Sequence, residues 1–210
     1  MKLKVPDELV RIDLHVHTSR GSPCAELHNP FTIPETMEET DLQGIVVTEH
    51  NMMWSLEEIK SLNSGLKNRK IYRGMEVSSG NFHFIIIGIE KTEDIYAGIH
   101  LLTLIDIVNA QGGVVILAHP YSGIPRNEAI LIPSGVSAIE IMSTVTRQED
   151  SIRALELCHQ NNLISVAGSD AHCAKKVGQY YTLFPYLPDN EKELAAMICS
   201  GECILPIKQN

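Results

Sequence analysis

Short apolar, β-branched runs recur along the chain, separated by stretches of helical periodicity. The runs fall at residues 10–14, 44–48, 70–77, 83–89, 113–118, 136–142 and 163–168, with another near 179–184, and read as strands. Between most of them lie "PETMEETDLQ", "SLEEIKSLNSGL", "GIHLLTLIDIVNAQGG", "RQEDSIRALELCHQNN" and, at the end, "DNEKELAAMICSG", which read as helices. Pro34 near one start and Gly112-Gly113 after one stop supply the expected helix punctuation. Strand–helix alternation implies parallel strands joined by helical crossovers, an α/β chain. One joint breaks the rule. Only a few residues, Gly80 and Asn81 among them, separate "YRGMEVSS" from "FHFIIIGI". That is hairpin spacing, so this pair is expected to run antiparallel.

Polar residues interrupt the pattern at telling places. Of nine histidines, six stand within or beside the ends of predicted strands: His15, His17, His50, His83, His119 and His172. Residues i and i+2 of a strand share a face, with Cα atoms roughly 6–7 Å apart. His15 and His17 are therefore expected to point the same way, with Ile12, Leu14 and Val16 on the opposite face. Asp170 and His172 in "GSDAH" form a second such pair. In a barrel of parallel strands, polar groups at the carboxyl ends converge on one mouth. Glu76, near the end of its strand, and His83, near the start of the antiparallel one, reach the same rim. A single histidine beside a strand is ordinarily a satisfied core or surface residue. Eight imidazoles and carboxylates at one rim are different, because each would cost several kcal/mol to bury alone; a shared cation explains them together. His28, His100 and His159 lack that placement, the last two falling in helical patterns.

Composition narrows the setting. The chain has 210 residues, enough for one domain (1–210) with a substantial core. A formal charge of −9 argues against broad electrostatic capture of nucleic acid, and so against long duplex nucleic acid as a partner. The start, "MKLKVPDELV", lacks the apolar core of a signal peptide, and no apolar run is long enough to span a bilayer. Five cysteines (Cys24, Cys158, Cys173, Cys199, Cys203) without a CxxC pair fit free thiols in a reducing compartment. The expectation is a cytoplasmic protein without a membrane partner. Oligomeric state is not legible.

The ordered series "DLHVHT", "VVTEHN", "RGMEVS" followed by "FHFIIIG", "LAHP" and "GSDAH" resembles the five motifs of the polymerase and histidinol phosphatase (PHP) superfamily, over residues 11–184. It is most similar to the short, stand-alone PHP phosphoesterases. The resemblance implies a distorted (β/α)7-type barrel with two or three metal ions at the C-terminal mouth. It implies that His15, His17, Glu76 and Asp170 hold one ion, and that Glu76 bridges to a second completed by His83 and His119. His50 and His172 would hold a third. Many relatives carry a further third-site ligand soon after the HxH pair. Here that stretch is "SRGSPCAEL", where Glu26, Cys24 or a water could take the place.

Imidazole and carboxylate ligands suit Zn, Mn or Fe better than a thiolate-rich structural zinc site or an all-oxygen calcium site. The expected chemistry is hydrolysis by a metal-bound hydroxide, with no side-chain nucleophile. A cationic pit in an acidic protein selects an anionic substrate: a small phosphorylated molecule or a short oligonucleotide. Arg20 and Lys175 are candidates to bind its phosphate, with Lys176, Arg126 and Arg147 as further possibilities; for any of them a solvated surface charge is the ordinary role. Cys173 beside His172 invites a thiol mechanism, but a metal hydroxide already supplies the nucleophile. Tyr180 and Tyr181 read as core. Two rivals remain: a metal-dependent amidohydrolase, whose barrels also open with HxH but normally bridge their ions with a lysine, and a non-catalytic, metal-stabilised interaction module.

Overall fold

The computed structural model describes residues 9–25, 29–122 and 130–206. Its strands are β1 (Val10–Val16), β2 (Gly44–His50), β3 (Lys70–Ser79), β4 (Phe82–Ile87), β5 (Val114–Ala118), β6 (Ala138–Met142), β7 (Ile164–Ala167) and β8 (Thr182–Phe184). They form one sheet in the order β7-β6-β5-β4-β3-β2-β1-β8. The pairs β1/β2, β2/β3, β5/β6 and β6/β7 are parallel. β4 is antiparallel to both neighbours, as the short joint at Gly80 and Asn81 required, and Ser78 pairs with His83. β8 adds an antiparallel pair that strand–helix alternation did not foretell.

The sheet curls into a nearly closed barrel. Beyond β7 the chain continues alongside β1: Ala171 bridges Val16, His17 N donates to Ala171 O (2.9 Å) and Ala171 N to His15 O (3.3 Å). Below this point Thr182 Oγ1 takes a hydrogen bond from Ala167 N and gives one to Ala167 O, both at 2.9 Å. A side chain thus completes the seam where strand pairing stops.

Continuous apolar strands are what a sheet covered on both faces demands. Inside the barrel, Ile12, Leu14, Val46, Tyr72, Ile85, Ile116, Ala138 and Val166 pack together. Helix α5 (Glu191–Ser200) sets Leu194, Ala195, Met197 and Ile198 against that cluster and plugs the end away from the mouth. Each such side chain, fully buried, contributes roughly 1.5–3 kcal/mol. α5 is well bounded, with Asn190 Oδ1 accepting from Glu193 N and Gly201 ending it in the left-handed region at φ 74°. Outside, α1 (Ile33–Glu38) and α2 (Leu56–Asn63) cover one flank, α3 (Leu101–Ala110) and α4 (Gln148–Gln160) another. α1 is shorter than its sequence suggests. Thr40 Oγ1 donates to Met37 O and accepts from Leu42 N, turning the chain before Gln43. His100 is the N-cap of α3 and not inside it; His159 lies in the last turn of α4. Among the described residues no helix is long and apolar enough to cross a membrane.

Candidate metal centre

An extra residue in β1 aims the two leading histidines. Asp13 pairs with Ile45, but the next partner of β2, Val47, pairs with Val16, so three steps of β1 oppose two of β2. This bulge resets the alternation. Ile12 and Leu14 face the barrel interior, Val16 joins the outer cluster with Ile45 and Val47, and His15 and His17 turn inward. The expectation that Ile12, Leu14 and Val16 share the face opposite the histidines is therefore corrected: only Val16 does. Two other contributors leave their strands in the left-handed region, His119 at φ 24° and Asp170 at φ 50°. Such angles are uncommon outside glycine and concentrate at functional sites, where surrounding structure holds them.

Hydrogen bonds set the tautomers of His15 and His17. Glu140 Oε1 lies 3.0 Å from His15 Nδ1, so that nitrogen carries the proton and Nε2 a lone pair. Ser22 Oγ donates to Glu49 Oε2 (2.6 Å) and so can only accept from His17 Nδ1 (3.0 Å), which leaves His17 Nε2 a lone pair as well. The two Nε2 atoms are 2.9 Å apart. Asp170 Oδ1 approaches them at 3.5 and 3.3 Å, and the Glu76 oxygens at 3.5 and 3.4 Å. Four buried acceptors facing one point repel one another unless a cation lies between them. In the bare chain a proton serves; a divalent ion fits the donor set better.

Glu76 joins this point to its neighbours. Its Oε1 lies 3.0 Å from His119 Nε2 and 3.1 Å from His83 Nδ1. Its Oε2 is buried without a hydrogen bond: His50 Nδ1 is 2.8 Å away but is not aligned to donate. A buried carboxylate oxygen without a hydrogen bond, set among imidazoles, fits a cation-binding role. Among the described residues four groups have ligand atoms within 4.8 Å of one another: His15, His17 and Asp170; Glu76, His83 and His119; His17, His50 and His172; and His15, His119 and Glu140, which ties the first two together. The eight residues that the PHP resemblance named thus lie together at one mouth.

The charges follow. Burial alone would push His15 down, but Glu140, Asp170 and Glu76 hold its pKa well above the ordinary value. His17 is dominated by burial and is pushed down to about 4. Burial would raise Glu76 and Asp170, yet the facing histidines, His15 foremost, hold both carboxyls below the usual range.

Sequence reasoning missed the residues that aim the ligands. Glu140 is fully buried, and its Oε2 also accepts from His119 N at 3.2 Å. Asp13, buried, accepts from Ser169 N, Gly178 N and His15 N; burial raises its pKa to about 6 despite those bonds. Glu49 takes hydrogen bonds from Thr18, Ser22 and Trp54 and pins the turn after β1. The available signal was a lone carboxylate within each apolar run, as in "AIEIM".

The basic candidates are less gathered. Arg20 gives two hydrogen bonds to Glu58 Oε1, at 3.1 and 2.9 Å, beside the Trp54 ring. Lys175 is exposed on a one-turn helix just after His172, and Arg147 is the exposed N-cap of α4. Glu26, His28 and Arg126 lie outside the described residues. Cys173 is half-buried. Tyr181, half-buried against the outer cluster, stacks under Arg11.

A family model described as PHP-associated matches residues 149–203. An uncharacterized protein of Methanocaldococcus jannaschii is 27% identical over 188 residues, covering 85% of this chain and 72% of its own length. Three solved structures at 14% identity share the fold. One is a two-domain protein from Bacteroides vulgatus containing a predicted PHP-like metal-dependent phosphoesterase; the match has a TM-score of 0.67 and covers 97% of this chain and 67% of that one. Another is an amidohydrolase from Chromobacterium violaceum with bound sulfate and no metal, at TM-score 0.62 and coverages of 94% and 98%. The third is a lesion-specific endonuclease from Pyrococcus furiosus, at TM-score 0.68 and coverages of 94% and 58%. The chain thus matches the PHP-associated family model over residues 149–203 and shares its fold with these three structures.

Proposed function

We propose that this PHP-like chain is a metal-dependent phosphoesterase that hydrolyses a small phosphomonoester or a short nucleotide. The observation that carries the reading is the meeting of His15 Nε2, His17 Nε2, Asp170 and Glu76 as four acceptors around one point, with Glu76 shared by a second group. His15, His17, Glu76 and Asp170 would hold one ion, Glu76, His83 and His119 a second, and His50 and His172 a third. Zinc, manganese and iron all suit these donors. Such ions, when bound, supply Lewis acidity and a water acidic enough to attack phosphorus near neutral pH.

The chain's own residues orient and select. Glu140 and Ser22 keep both Nε2 lone pairs turned inward. A cavity of about 160 Å³ beside the centre, lined by Phe82, His83, His119 and Ser122, has room for a phosphoryl group and little more. A wider groove of about 540 Å³, between α2 and the start of α5, lies away from the ligands and has no part in this reading. Arg20 and Lys175 are the cations proposed to meet the substrate's phosphate, Arg20 with part of its charge already answered by Glu58.

The amidohydrolase reading draws on a shared fold. Against it, no lysine is buried among the described residues, whereas Glu76 is in place to bridge. Assay of the metal-loaded protein on a panel of phosphomonoesters, phosphodiesters and amides, with elemental analysis, decides among the readings. Phosphate release dependent on added metal is expected. Amide cleavage alone, or no turnover with ions bound, would give the site to one of the two rivals.

A further inference from the structure

The structure assigns to Glu49 the role of the negative charge behind the first ion: through the Ser22 hydroxyl it orients the His17 ring and holds the backbone of His50. The inference rests on the metal-centre reading above and adds to it a positioning residue that touches neither ion nor substrate. Glu49 is fully buried. Thr18 N (3.1 Å) and Ser22 Oγ (2.6 Å) donate to its Oε2, Trp54 Nε1 (3.0 Å) and Thr18 Oγ1 to its Oε1. The Thr18 amide and the Trp54 indole can only donate, one to each oxygen, and the ionised carboxylate is the form that accepts all four. None of the four donors brings a positive charge. A buried carboxylate met by neutral groups alone is costly unless a cation lies within reach.

The path to that cation runs through Ser22, which is itself fully buried. A hydroxyl has one proton and two lone pairs, and here all three are engaged. The proton goes to Glu49; the lone pairs take His17 Nδ1–H at 3.0 Å and His50 N–H at 3.1 Å. If Ser22 donated to His17 instead, Glu49 would lose a donor and His17 Nε2 would carry a proton towards the ion. The charge on Glu49 thus fixes the direction of the Ser22 bond, and that direction fixes the His17 tautomer. The turn is also moulded on Glu49, since a Cβ on Gly21 would lie 2.9 Å from Glu49 Cβ. Carboxylates bonded directly to metal-binding histidines orient the ring and strengthen it as a ligand. Glu140 stands in that direct position behind His15, whereas Glu49 acts on His17 across one serine.

The test is zinc binding to the full chain after removal of metals with a chelator, in two variants that each take one donor from Glu49. Ser22→Ala cuts the link to His17; Trp54→Phe removes a donor that leads to no ligand. Both are expected to melt at a lower temperature than wild type. Only Ser22→Ala is expected to weaken the first zinc ion, by about 10–100-fold in chelator competition, with Trp54→Phe within about twofold of wild type. In the zinc-loaded wild type, nuclear magnetic resonance should show two downfield, slowly exchanging ring protons, His15 Nδ1–H against Glu140 and His17 Nδ1–H against Ser22. Ser22→Ala should lose the second and keep the first, a selection that loosened packing would not make. Equal affinity losses in both variants, or none in Ser22→Ala, would reduce Glu49 to a prop of the turn and overturn the inference while the metal centre stands. Absence of the His17 ring proton from the zinc-loaded wild type overturns it equally. A wild type that binds no zinc overturns both this inference and the metal-centre reading.

Discussion

Glu140 Oε1 lies 3.0 Å from His15 Nδ1, and this pair decides which nitrogen of the ring faces the ions. Glu140 Oε2 takes the amide of His119, so one carboxylate holds two of the proposed ligands, His15 and His119. Glu140→Gln keeps the volume but removes the charge and turns an NH2 group towards one of those N–H donors. Second partners of metal-bound histidines are typically worth 10–100-fold in affinity or activity, and a loss in that range is expected. Chelator competition against the wild type measures it. Affinity within twofold of wild type would show that His15 is oriented by something else.

Glu76 has a larger predicted effect because its two oxygens face different histidines, Oε1 towards His15, His83 and His119 and Oε2 towards His17 and His50. Glu76→Gln should lose metal at two sites and lose phosphate release, while the barrel stays folded, since an amide fills the same buried space. Metal content and circular dichroism read the two halves separately. His100→Ala is the control. That side chain caps nothing at the start of α3 and is exposed, so turnover should not change. Near-normal turnover in Glu76→Gln with metals retained would place the bridge elsewhere.

Gly168 is constrained by the same ligand. A Cβ there would lie 2.6 Å from His15 Cβ, 2.8 Å from His15 N and 3.0 Å from Glu140 Oε1. The His15 atoms cannot swing away, and the Glu140 carboxylate is held by His15 Nδ1 and His119 N. Gly168→Ala should therefore cost about 1–3 kcal/mol of stability, as overpacked cores do, and should displace His15. For a chain of this size each kcal/mol moves Tm by about 2–4 °C. A melt unchanged within a degree, with full metal binding, would contradict the close packing.

The strands were legible because a sheet covered on both faces needs unbroken apolar runs, and the clustering of histidines and carboxylates because most of them stand at or near an end of such a run. The β1 bulge was not legible. Period-2 reasoning assumes one register, and nothing in "RIDLHVH" marks the extra residue between Asp13 and Val16. Glu140 escaped for a different reason. Its partner His15 is 125 positions away, so the pair exists only once β6 lies across the barrel from β1. The short β8 was placed near 179–184 but holds three residues, because Leu183 pairs with Ile204 as well as with Arg11 and the chain turns away on either side.

Proton release should accompany metal binding. In the bare chain three carboxylates hold the pKa of His15 well above its ordinary value, so at pH 7 its Nε2 carries a proton shared with His17 Nε2, 2.9 Å away. His17, pushed down to about 4 by burial, is neutral at the same pH. A raised pKa means the proton is bound on the acid side and must leave when an ion arrives. Affinity at the first site should thus fall about tenfold per pH unit below the pKa of His15, and more steeply below about pH 4, where His17 also protonates. Calorimetry at pH 7 in buffers of different protonation enthalpy should show about one proton released per first ion. Buffer-independent heats would mean that His15 is neutral before the ion binds.

Substrate size is set by where positive charge can be found. The chain carries a formal charge of −9, and binding along a duplex needs cations spaced with its phosphates. Near the mouth, Arg20 is already paired with Glu58 at 2.9 Å, and Lys175 and Lys176 share a one-turn helix. Ions held at the proposed centre would therefore supply most of the attraction, beside a cavity of about 160 Å³. A substrate with one or two phosphates gains that attraction without dragging further phosphates across an acidic surface. Nucleoside monophosphates, other small phosphomonoesters or very short oligonucleotides should show higher kcat/KM than long duplex DNA at fixed salt and metal. The endonuclease with the same fold makes the comparison pointed, because this chain spans only 58% of it. Duplex DNA as the best substrate would mean that cations outside the described mouth carry the backbone.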